Sequence, residues 1–149
     1  MTTLLRPNTE LVVGAWLGGI TGLSPAMVAT QLPRDGASWQ STGFVTYVVN
    51  GGSPSMYTPL RSPTLGIDCW AAAKGSNKPQ WFLANSLAEL IDQGCRASNA
   101  QRWLTLPGSY QQARVTTAYL LTEPQRMYED PGNYARYHFN LSVHWVAAT

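Results

Sequence analysis

Apolar and polar positions alternate most cleanly near the end of the chain. Between Tyr134 and Val146, Ala135, Tyr137, Phe139, Leu141, Val143 and Trp145 fall on one side and Tyr134, Arg136, His138, Asn140, Ser142 and His144 on the other. A period of two over that length predicts an antiparallel strand with a single core face, in which Phe139, Leu141 and Val143 are core and Asn140 and Ser142 are not. Thr64–Ala72 repeats the pattern, with Leu65, Ile67, Cys69 and Ala71 opposite Asp68 and Trp70. Phe44–Val49 and Ala113–Leu121 are rich in β-branched and aromatic residues and predict two more strands, and Met27–Leu32 predicts a short one.

Two segments switch to helical spacing. Near the N-terminus, Asn8 suits a helix cap and Glu10 the positive end of the dipole. Leu11, Val12, Ala15, Trp16 and Gly19 share one face of this segment, which Gly18-Gly19 ends. Ala84, Leu87, Ala88, Ile91 and Cys95 recur in a second helix, with Lys78-Pro79 placing proline in its first turn and the end near Ala97. Arg34-Asp35-Gly36 predicts a turn, and Asn50–Pro63, with Pro54, Pro59 and Pro63, an irregular loop exposed at one end of a sheet. The order of one helix, three strands, a second helix and two strands predicts an α+β fold: a mainly antiparallel β-sheet with two α-helices packed on one face.

Length and composition refine that picture. At 149 residues the chain is a single domain, residues 1–149, with room for one core. Charged residues make up only 12%, against about 25% in a typical soluble protein. Ser, Thr, Asn and Gln take their place, and an obligate subunit with part of its surface hidden by partners would look like this. A net charge of +2 is too small a field for non-specific phosphate binding. The charge-free stretch Leu11–Pro33 is broken by glycine and proline after Ile20, which excludes a membrane span, and it lacks a clear cleavage site for export, so the expected compartment is the cytoplasm. Cys69 and Cys95 lack CxxC spacing and are expected to be buried free thiols.

Candidate chemistry is sparse. His138 and His144 share a strand face but stand about 20 Å apart at strand rise, too far to bind one metal, and are expected to face solvent or an interface. Asp68 and Cys69 point to opposite faces of a strand and cannot form an activated thiol pair. Asp68 beside Trp70 is the stranger residue, placed to cap a loop or to meet an arginine across strands or subunits. The sequence has no GxSxG, HExxH, P-loop or GxGxxG pattern. No catalytic residue, metal or cofactor is therefore expected, and the chain is not expected to be an enzyme. The connection Thr122–Asn133 is long for a hairpin and carries Arg126, Met127 and Tyr128 between Pro124 and Pro131. Arginine and tyrosine on a projecting, proline-stiffened loop suit a contact surface, with an idle solvent loop as the alternative. Arg126, Met127, Tyr128, Arg136, His138 and Asp68 are the candidate subunit or partner contacts.

Five runs taken together, PNTELVVGAWLGGI, VATQLP at 28–33, PLRSPTLGIDCWAA at 59–72, LANSLAELI at 83–91 and YARYHFNLSVHWV at 134–146, give the sequence a family resemblance. It resembles the tail terminator, or tail completion, proteins of long-tailed actinobacterial phages, in order over nearly the whole chain. The resemblance implies a lambda-type terminator fold, an antiparallel sheet backed by helices and assembled as a homohexameric ring. It implies a virion location at the tail neck, with the tail tube protein and the head–tail connector or stopper as partners and DNA passing through without sequence-specific binding. It assigns no individual residue a role. A different neck ring, such as a stopper or adaptor, is the alternative within this class. Outside it stands a small ligand-binding α+β domain with Asp68, Trp70 and the Asn50–Pro63 loop around a pocket.

Overall fold

The computed structural model describes residues 5–33, 39–40, 42–52, 54–72, 79–96, 100–128 and 134–147. Helix α1 spans Thr9–Gly18, and the Asn8 side chain accepts from the Leu11 N–H at 2.9 Å, as the cap reading expects. Its buried residues are Val12, Val13, Trp16, Leu17 and Gly18 rather than the predicted face. Leu11 and Ala15 are only half-buried, and Gly19 is the exposed C-cap. The physical reason is that α1 touches β1, β2 and β4 and is enclosed on more than one side, so a single stripe cannot describe it.

The remaining elements are a 3-10 turn at Pro25–Met27, then β1 (Val28–Ala29), β2 (Phe44–Gly51), β3 (Thr64–Ala71), α2 (Trp81–Cys95), β4 (Arg102–Leu104), β5 (Ala113–Leu120), β6 (Gln125–Met127) and β7 (Ala135–Ala147). The sheet runs β1-β2-β3-β7-β5-β4, with β6 beside β7, and every pairing is antiparallel except β1 with β2. The fold is α+β, a mostly antiparallel curled sheet with two helices. Leu65, Ile67, Cys69, Phe139, Leu141, Val143 and Trp145 meet Leu87, Ala88 and Ile91 of α2 in the main core.

Several boundaries differ from expectation. The strand expected at Met27–Leu32 is only Val28–Ala29, because Pro25 starts a 3-10 turn that includes Met27. Helix α2 starts at Trp81 with Gln80 as its cap, so Pro79 precedes the first turn instead of sitting in it. Lys78, the helix end near Ala97 and the Arg34-Asp35-Gly36 turn lie outside the described residues. Ser142 is 6% exposed despite its place on the outer face of β7. It pairs with Thr64 on one side and Tyr119 on the other, and the His144 ring lies 3.3 Å from its hydroxyl, so neighbours cover a small side chain completely.

The largest correction concerns Thr122–Asn133. Within the described part, Gln125–Met127 do not project; they form β6, paired with Arg136, Tyr137 and His138. Strand β5 leaves β7 after the Leu120–Leu141 pair, which exposes the backbone of β7 from Asn140 back toward Arg136. Unpaired buried backbone groups are costly, and the chain satisfies them by returning to the same edge. Between the two strands the Leu121 N–H donates to the Asn140 carbonyl at 2.7 Å, and the Asn140 N–H donates to the Thr122 hydroxyl at 2.9 Å. Residues 129–133 lie outside the described part.

The region that does project is the β2–β3 hairpin arm. From Val48 to Pro59 every described residue is exposed, and Met56 and Tyr57 are 90% and 92% exposed. The base of the arm is fixed by a backbone pair between Arg61 and Trp145, with N–H to carbonyl distances of 2.8 and 2.9 Å.

Candidate assembly surface

Both helices lie on one face of the sheet. The other face presents Thr46 from β2, Asp68 and Trp70 from β3, and Arg136 and His138 from β7, all in cross-strand register. A strand places alternate side chains on opposite faces, so these positions follow from the period-two pattern, while their meeting depends on register. Asp68 Oδ1 lies 3.0 Å from His138 Nδ1 and 3.6 Å from Arg136 Nη1. The Arg136 guanidinium sits over the Trp70 ring at 5.0 Å, and the Trp70 indole N–H donates to the Thr46 hydroxyl at 2.9 Å. Asp68 therefore does meet an arginine across strands. His138 is half-buried against a carboxylate rather than simply solvent-facing, because a partner 70 residues away in sequence arrives through the β3–β7 pairing.

His144 occupies a separate site. Its Nδ1 lies 3.1 Å from the Ser62 hydroxyl, its Nε2 3.3 Å from that of Ser142, and its ring is 5.8 Å from that of Tyr119. Among the described residues no three His, Cys, Asp or Glu side chains gather where they could hold a metal ion. Cys69 is buried among apolar side chains, which pushes its thiol far up, and the Asp68 charge adds to this. Cys95, expected to be buried, is half-buried; desolvation and the Asp92 carboxylate push it up to about 12.

Strand β6 divides the remaining candidates between the two faces. Met127 pairs with Arg136 and joins the outer patch. Arg126 pairs with Tyr137 and turns to the helix side, where its Nε donates to the Tyr137 hydroxyl at 2.9 Å. There its guanidinium sits 5.0 Å from the Trp81 ring centroid, and the Tyr128 ring packs 5.6 Å from the same ring. The hydrogen bond to Tyr137 raises the Arg126 pKa. Tyr128 remains 67% exposed, and Phe82 beside Trp81 is more exposed still. The six candidates thus form two clusters on opposite faces.

Sequence reasoning missed a second arginine–aromatic pair on the outer face, Arg114 over the exposed Trp103 at 5.6 Å. The three-residue strand β4 that carries Trp103 is too short for periodicity to reveal. It also missed the groove between α2 and residues 119–124, of about 690 Å³, lined by Glu89, Asp92, Cys95, Arg96 and Tyr119–Pro124. Smaller clefts lie between the end of α1 and α2, beside Trp145, and at the base of the arm. Neither Asp68 nor Trp70 lines any of these. No helix among the described residues is long and apolar enough to cross a membrane. No family model and no curated protein matches the sequence.

Proposed function

We propose that the chain is a structural subunit of a phage tail, forming a homo-oligomeric ring at the head-proximal end of the tail tube. There it ends tube growth and joins the tail to the head connector or stopper, while DNA passes through without sequence-specific contacts. The observation that carries this reading is the outer face of the sheet, which neither helix covers, with its ordered arginine–aromatic pairs, Arg136 on the half-buried Trp70 and Arg114 on the exposed Trp103. Arginine and large aromatics concentrate at protein–protein contacts, where a guanidinium already stacked on a ring loses little further freedom on docking. The α+β fold is also the one that the likeness to tail terminators implies.

The ligand-binding alternative is less well supported. Asp68 and Trp70 stand away from the clefts, and the Asn50–Pro63 loop leaves the sheet beyond Thr64, at the other end of β3 from Trp70. Native mass measurement of the purified chain, alone and mixed with tail tube protein, tests the reading. A discrete ring is expected, and tails grown without the protein should be overlong. A chain that stays monomeric in both mixtures would overturn it.

A further inference from the structure

We propose that the β2–β3 arm of one copy seats its Met56–Tyr57 tip in the α2 groove of a second copy, and that this is the head-to-tail contact of the ring. The inference rests on the ring reading above. A ring of identical subunits closes through a heterologous interface, which needs two unlike and complementary patches on each chain.

The arm is the convex patch. Its tip is ordered by one side chain, since the Ser55 hydroxyl accepts from the N–H groups of Tyr57 and Thr58, each at 3.2 Å. That turn, with Pro54 and Pro59 flanking it, holds a methionine and a tyrosine out in water, where they contribute nothing to the core of their own chain. Pre-ordering lowers the entropy lost when such side chains dock. The groove is the concave patch. Its walls include Leu120, Leu121 and Pro124, with Leu121 47% exposed, and its rim carries Glu89, Asp92 and Glu123. Strand β4 pairs only with Ala113, Arg114 and Val115, so the outer edge of β5 beside the groove has no strand partner among the described residues.

Charge matches the two. Arg61 is the only charged side chain from Val48 to Pro63, and Arg6 joins it in lining the cleft beside Trp145. The groove holds three carboxylates against one arginine, Arg96, which is already paired with Asp92 at 3.0 Å. Neither Glu89, Glu123 nor Arg61 forms an ion pair among the described residues. The two patches also face apart. The arm runs along β7 toward Trp145 on the β3 side, whereas Leu120–Pro124 run along β7 toward His138 on the β5 side. An arm so placed serves a neighbour rather than its own groove.

Disulfide trapping tests the contact. In a Cys95→Ala background, Met56→Cys combined with Glu123→Cys should give a ladder of covalent oligomers beyond the dimer on mild oxidation, and Met56→Cys alone should give none. Independently, Tyr57→Asp, at a position with no role in the core, should keep the wild-type circular dichroism and raise the concentration needed for assembly at least about tenfold. Arg61→Glu should weaken assembly, and adding Glu123→Arg should recover it. Wild-type rings without a ladder would overturn the arm contact and leave the ring reading standing. Dimers from Met56→Cys alone would mean arm-to-arm contact and would overturn it too. Tyr57→Asp rings that form normally but fail to join the tube would assign the arm to the tube protein instead. A wild-type chain that never assembles would remove the ring reading and the arm contact together.

Discussion

The β2–β3 arm and the Leu121–Tyr128 segment begin alike and end differently. Both leave the same cross-strand row, in which Val49, Leu65, Leu141 and Leu120 lie side by side, and both carry proline and aromatic residues. One stays in solvent and the other folds back as β6. The difference lies in the neighbour. The departing β5 vacates an edge of β7, and residues 125–127 refill it; β3 occupies the other edge of β7, and outside β2 only the two residues of β1 pair. Whether a connection projects depends on the unpaired backbone within its reach more than on its own composition.

The strongest perturbation strikes the row from which both segments depart. Leu141→Asp places a charge in the core and should abolish soluble folding, a cost of about 4 kcal/mol or more, visible as lost expression and lost circular dichroism. Replacing Gln125–Met127 with three glycines should separate the two regions, because it weakens β6 and uncovers β7. A fall in melting temperature of roughly 5–10 °C is expected. An unchanged melting temperature would mean that β6 is no more structural than the arm. Alkaline pH should act through the groove side. Cys95 favours its protonated form in the fold, so its contribution is complete below its ordinary value of 9.0 and is lost as pH rises toward about 12. A Cys95→Ala variant should lose less melting temperature across that window than the wild type. The smallest effect belongs to the arm: replacing residues 54–60 with a Gly/Ser turn should move the melting temperature by less than about 3 °C, since loop length costs little closure entropy. A larger fall would make the arm part of the fold.

Long periodic elements were legible in the sequence. Alternation in β3 and β7 assigned Asp68, Arg136 and His138 to one face, and the spacing of Ala84, Leu87, Ala88 and Ile91 located α2. The cap of α1 was also readable, because Asn8 bonds a residue only three positions away. Of the shortest strands only β1 was anticipated, and with bounds too wide, while β4 and β6 were not, since they exist only through partners distant in the chain. The same reason hid the site. Asp68 meets His138 through strand register, and Arg126 and Met127, adjacent in sequence, serve opposite faces once β6 forms. The outer-face cluster of Trp39, Phe44 and Ala72, packed with Trp70 and Tyr134, likewise gathers residues that no local pattern connects.

The far end of α1 bears on when the protein becomes a protein at all. The Trp16 indole N–H donates to the Ala100 carbonyl at 3.1 Å, and the Arg102 guanidinium donates to the Trp16 carbonyl while stacking on the Trp16 ring. The close approach depends on Gly19, where a Cβ would strike that guanidinium. Helix α1 emerges from the ribosome early, but the groups that close its C-terminal end are made more than eighty residues later. A nascent chain halted before residue 102 therefore holds an α1 whose indole and terminal carbonyl lack these partners. Closure of the far end of α1 is thereby timed to the second half of synthesis.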